Sequence, residues 1–145
     1  TGLNKIEMAK KIGEDKVHEF RRSWDIRPDP LKIESPYHPL KIETYNNIPR
    51  ELIPSTESLK DTSERVLKFF KESIEEKLKN KNVLISAHGN SIRALCKSLF
   101  QLNNNQISKL EIPTGNPLII EMDRKIELKS CKYLDKERAK NLVIF

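Results

Sequence analysis

A chain of 145 residues with 37% hydrophobic and 33% charged side chains suits one compact soluble domain or a large piece of one. No stretch approaches the ~20 apolar residues that span a bilayer, so no membrane-spanning helix is expected. The two cysteines, Cys96 and Cys131, are too few for a disulfide framework and have no second Cys or His at metal-ligand spacing. A net charge of +6 and a pI near 9.3 favour anionic partners. The basic residues are scattered over amphipathic segments without a dense run or interleaved aromatics, which suits small phosphorylated acids and argues against nucleic acid.

The N-terminus, Thr-Gly-Leu-Asn-Lys, has neither a basic nor an apolar leader region, so no secretory signal is expected. It lacks an initiator Met, and a processed or truncated chain is expected. Asn4 followed by Glu7 reads as a capping box opening a short helix through Lys11, and Gly13 reads as its C′ residue. A second helix is predicted over about 14–24, with Val17, Phe20 and Trp24 as its stripe and Arg21 and Arg22 on its last turn. Arg27-Pro28-Asp29-Pro30 stops it. From there to Pro54 six prolines mark a long irregular excursion, of the kind used for lids and binding loops.

Thr56-Glu57-Ser58 leads into a long helix through about Leu78, in which Val66, Phe70, Ile74 and Leu78 recur every four residues and Leu67 and Phe69 widen the face. Val83 to Ala87 reads as a buried strand. After His88-Gly89-Asn90-Ser91 comes another helix, with Ile92, Leu95, Cys96 and Leu99 on one face, so Cys96 is expected to be a buried thiol. Reduced cysteines without a leader suit the cytoplasm. A short helical turn over about 105–110, a turn at 112–116, strands over 117–122 and 126–132, and a weakly helical segment from Asp135 complete the chain. Strand, helix and strand in this order suggest a βαβ-like α/β unit followed by a hairpin. The segment 83–87 is too apolar for an edge strand, so a neighbour outside this sequence is expected beside it.

Strand, tight turn and helix at 83–95 is the geometry of a phosphate site at the carboxyl end of a strand. Asn90 or Ser91 is placed to cap the helix, whose free N–H groups face the turn. Gly89 admits close approach of a ligand, and His88 is suited to a charge-assisted hydrogen bond or a proton transfer. A histidine that merely satisfies a neighbouring carbonyl is the structural alternative.

Six stretches match one family in order: Thr-Gly-Leu-Asn-Lys at 1–5, Arg-Arg-Ser-Trp at 21–24, the Pro-rich segment, Thr-Glu-Ser-Leu at 56–59, Ala-His-Gly-Asn-Ser-Ile-Arg-Ala-Leu at 87–95 and Ile-Pro-Thr-Gly-Asn-Pro-Leu at 112–118. The chain resembles the cofactor-dependent phosphoglycerate mutases of the histidine phosphatase superfamily. That resemblance implies an α/β, three-layer phosphoglycerate mutase-like fold with a mixed, mainly parallel sheet. Residues 1–145 would be the C-terminal portion of one such domain, lacking its N-terminal strands, with 28–54 as its long loop. It implies interconversion of 3-phosphoglycerate and 2-phosphoglycerate through a phosphohistidine, with 2,3-bisphosphoglycerate as primer, no metal, and a homo-oligomer.

The resemblance also assigns residues. His88 corresponds to the second histidine, which stabilises the transferring phosphoryl group, and Gly89 and Asn90 to phosphate contacts. Lys5 and the pair Arg21 and Arg22 correspond to groups that hold the substrate's phosphate and carboxylate, and two guanidinium groups with an ammonium suit a small, multiply anionic acid. Without the family, Lys5 reads as a solvated helix lysine, and Arg21 with Arg22 read equally as complements of a helix dipole or as ligand-binding groups. His18 and His38 have no motif around them. The family's nucleophile lies in an Arg-His-Gly tripeptide, and this chain has none. Its acidic general acid/base, a nearby tyrosine and further arginines are also missing. The implied enzyme therefore needs a segment beyond this one, in the same chain or another, and the chain alone is expected to show no turnover. A histidine-type phosphomonoesterase and a non-catalytic fragment are the alternatives.

Overall fold

The computed structural model describes residues 2–139, which fall into two units, one ending at Ser58 and the other starting at Leu59. In the first, helices α1 (Lys5–Ile12) and α2 (Glu14–Arg22) pack on each other and are joined by a single residue, Gly13. Gly13 has φ 89° and ψ 151°, a conformation essentially reserved for glycine, and its N–H caps α1 by donating to the Ala9 carbonyl at 2.9 Å. At the other end of α1, Asn4 Oδ1 accepts from the Ile6 N–H at 2.8 Å. This caps the N2 position; the reciprocal bonds between Asn4 and Glu7 of the expected capping box are not seen. Helix α2 ends before Trp24, because Ser23 turns extended at φ −62° and ψ 158°. Val17, Phe20 and Trp24 are half-buried, and neither helix carries a fully buried residue.

The Pro-rich excursion is not structureless. It contains 3-10 turns at Pro39–Lys41, Glu43–Tyr45 and Arg50–Leu52. Its ends are tied: the Leu31 N–H donates to the Ser55 carbonyl at 3.0 Å, and the Thr56 hydroxyl donates to the Pro28 carbonyl at 2.6 Å. His38, unassigned from the sequence, is buried and caps the first turn, its Nδ1 accepting from the Leu40 N–H at 3.2 Å.

In the second unit the long helix is α3 (Leu59–Phe69), a π-helical turn (Phe70–Ile74) and α4 (Glu75–Leu78) in unbroken succession. The four-residue spacing explains the π turn. Four residues of an α-helix advance about 40° past a full turn, so Val66, Phe70, Ile74 and Leu78 would drift off the core face. A wider turn with i→i+5 bonding rotates them back. Phe70 and Ile74 are buried with Leu95, and Val66, Leu67, Leu78, Val83 and Leu99 pack around them. Phe69, predicted on this face, is instead 60% exposed.

Helix α5 (Gly89–Leu99) packs against α3 and buries Ala94, Leu95 and Cys96. Burial pushes the Cys96 thiol up to about 12, with Cys131 adding to the shift. Helix α6 (Asn104–Lys109) begins at a complete capping box that sequence reading missed, with Asn103 and Gln106 bonded reciprocally at 2.8 and 2.9 Å. Strands β1 (Leu118–Met122) and β2 (Leu128–Tyr133) form an antiparallel hairpin with an irregularity at Glu121/Met122. In its turn Asp123 Oδ1 accepts from the Lys125 and Glu127 N–H groups at 2.8 and 3.0 Å. Ile126, placed in the second strand by the sequence, has φ 66° and belongs to the turn.

The principal departure concerns 83–87. This segment joins no ladder, and Leu84 is 90% exposed. Among the described residues the only sheet is the hairpin, so the βαβ-like unit does not form. A strand needs a hydrogen-bonded neighbour, and none is placed beside it among these residues. From Asp135 onward, Glu137–Ala139 makes a 3-10 turn. The remainder of the weakly helical segment, 140–145, and Thr1 of the first matching stretch lie outside the described residues.

Candidate functional site

His88, Gly89 and Asn90 come together at the start of α5, and all three are exposed. His88, not Asn90 or Ser91, is the N-cap, with φ −62° and ψ 147°. Its carbonyl accepts from the Ile92 N–H at 3.1 Å, while its imidazole makes no capping bond. Gly89 sits at N1 in open space, since a Cβ there would meet nothing within 4 Å. Packing places no demand for glycine at this position. The free N–H groups of the first turn and the positive end of the helix dipole together favour an anion.

Asn90 is held from behind. Its Oδ1 accepts from Nη1 of Arg93 at 3.1 Å, and Nη2 of Arg93 donates to the Ile107 carbonyl at 2.6 Å. Arg93 is 2% exposed. Sequence reading did not single it out. The available signal was a charge inside the apolar face of α5, three residues after Asn90.

Lys5, Arg21 and Arg22 belong to the first unit. Lys5 is exposed in the first turn of α1, where a cation opposes the helix dipole, and no hydrogen bond or ion pair engages it among the described residues. Arg21 and Arg22 occupy the last turn of α2, where the dipole favours them, and both have interaction partners. Among the described residues no group of His, Cys, Asp and Glu is placed to hold a metal ion, and no helix is long and apolar enough to cross a membrane.

Residues 31–129 match the histidine phosphatase superfamily (branch 1). The chain belongs to the histidine phosphatase superfamily. Its relatives in that superfamily include a 2,3-bisphosphoglycerate-dependent phosphoglycerate mutase of Pelagibacter ubique (strain HTCC1062), 66% identical over 146 residues, covering 100% of this chain and 61% of that protein. Proteins of the same name from Hyphomonas neptunium (strain ATCC 15444) and Maricaulis maris (strain MCS10) are 49% and 45% identical over 143 residues, covering 98% and 97% of this chain and 59% of each relative. The chain thus spans about three-fifths of the length of these curated relatives.

Proposed function

We propose that this chain forms part of a 2,3-bisphosphoglycerate-dependent phosphoglycerate mutase that interconverts 3-phosphoglycerate and 2-phosphoglycerate. The observation that carries the reading is 66% identity, along the whole chain, to a relative of that name. The residues present suit a multiply anionic acid: an open helix N-terminus at Gly89, an amide at Asn90 and an exposed ammonium at Lys5. In this reading 2,3-bisphosphoglycerate supplies the phosphoryl group that primes the enzyme.

His88 donates a charge-assisted hydrogen bond to a non-bridging oxygen of the transferring phosphoryl group, where negative charge must be stabilised in the transition state. The first-turn N–H groups and the Asn90 amide orient the same group. Lys5, Arg21 and Arg22 hold substrate phosphate and carboxylate. The chain has no Arg-His-Gly tripeptide, so the phosphoacceptor histidine is assigned to a segment beyond this sequence. The same assignment accounts for 83–87. Leu84 is 90% and Ile85 42% exposed, and we assign the segment as a central strand of a mainly parallel sheet completed by that missing portion.

The test joins this chain to the portion of the Pelagibacter relative that it does not span. Interconversion of 2- and 3-phosphoglycerate dependent on 2,3-bisphosphoglycerate is expected, falling at least about 100-fold in His88→Ala. The 145-residue chain alone is expected to show no turnover. Release of inorganic phosphate from many monoesters, without need of the bisphosphate, would replace the mutase reading with a phosphatase one.

A further inference from the structure

Arg93 is a fully buried charge to which the proposed chemistry gives no task. It lies one helical turn after Asn90, so the two side chains share a face of α5. Its guanidinium spans two elements. Nη2 donates to the Ile107 carbonyl at 2.6 Å in α6, where Ile107 is 0% exposed and the helix is fixed by its capping box. Nη1 reaches forward to Oδ1 of Asn90 at 3.1 Å. The link therefore runs from a well-anchored core helix to the exposed turn at 88–90.

The consequence follows from donor and acceptor chemistry. An asparagine amide has two ends of nearly equal shape, and its neighbours decide which is oxygen and which is NH2. A guanidinium offers only donors. The end of Asn90 that meets Arg93 must therefore be the oxygen, which leaves the two amide hydrogens for a group outside the fold. With the opposite orientation a carbonyl oxygen would confront any anion at the helix N-terminus. Because arginine stays protonated at every physiological pH, this orientation does not titrate.

We propose that Arg93 is a positioning residue that sets the Asn90 amide as a donor for the phosphate of phosphoglycerate. This inference rests on the mutase reading above.

A double-mutant cycle on the joined protein tests it. Arg93→Met is expected to lower kcat/KM about 10- to 100-fold when Asn90 is present, the scale of one hydrogen bond to a charged group. In the Asn90→Ala background the same substitution is expected to cost less than about twofold, because the amide it orients is gone. Equal losses in both backgrounds would reduce Arg93 to a structural residue and overturn the proposal. Absence of turnover in the unsubstituted joined protein would overturn the mutase reading, and this inference with it. Asn90→Asp leaves Arg93 in place and covers the case in which Arg93→Met does not fold. It keeps an acceptor for the guanidinium and removes the donors, so thermal stability is expected to be retained while kcat/KM falls at least as far as in Asn90→Ala. An Asn90→Asp protein with full activity, or one less stable than Asn90→Ala, would overturn the assignment.

Discussion

Replacing Asn116 by Ala isolates one side chain that behaves as a piece of backbone. Asn116 is 5% exposed and lies in the turn before β1. Its Nδ2 donates to the Asp135 carbonyl and its Oδ1 accepts from the Asp135 N–H, each at 2.9 Å. Next to it the Leu134 N–H donates to the Pro117 carbonyl at 2.9 Å. The amide thus continues the hairpin ladder beyond its terminal pair, Leu118 with Tyr133. Asn116→Ala removes two hydrogen bonds worth about 1 kcal/mol each. Asp135 is exposed, so water reaches its freed groups and no further desolvation cost is added. The expected loss is therefore about 2 kcal/mol. Asn116→Asp keeps the acceptor but turns a carboxylate oxygen toward the Asp135 carbonyl, so it is expected to cost no less than Ala. Urea unfolding followed by circular dichroism, on the parent and both variants at neutral pH, reads these values as midpoint shifts at constant slope. An Asn116→Ala protein within about 0.5 kcal/mol of the parent would show that the ladder extension contributes nothing.

The adjacent phenylalanines give a sharper contrast. Phe70→Ala, at a site 7% exposed in the core, is expected to cost about 3–5 kcal/mol, whereas Phe69→Ser, at a site 60% exposed, is expected to stay within about 0.5 kcal/mol of the parent in the same unfolding assay. Reversal of that order would place the wrong face of the helix in the core. At alkaline pH, burial raises Cys96 from 9.0 to about 12, so the folded state keeps a proton that the unfolded state loses. Stability is then flat below about pH 9 and falls above it, by about 1.4 kcal/mol per pH unit from this group, toward pH 12. Cys96→Ala is expected to remove this part of the alkaline slope in a series of melts from pH 8 to 11, and an unchanged slope would refute the assignment to Cys96.

Much of the local structure was legible in the residues. The break at Gly13, the stop before the prolines, the helix from Gly89, the hairpin after Pro117 and the buried Cys96 all follow from short-range rules of caps, turns and apolar spacing. The family was legible by resemblance instead, because each matching stretch is a run of adjacent residues. The exposed trio His88, Gly89 and Asn90 was also readable, since a turn at a helix start brings consecutive residues together.

What depended on distant residues was not readable. An apolar run at 83–87 specifies a tendency to be a strand, but only a neighbouring strand satisfies its backbone, and Leu84 stands 90% exposed where none is placed. The four-residue spacing at 66–78 named the core side chains without revealing the π turn that keeps them in line, and it put Phe69 on the wrong face. The link made by Arg93 was only half legible, as a charge inside the apolar face of α5 close to Asn90, because its bond to the Ile107 carbonyl depends on a different helix, α6. Periodicity and capping are properties of adjacent residues and travel with the sequence. Burial, ladder pairing and the orientation of an amide are set by whatever the fold brings alongside, and those only the tertiary structure decides.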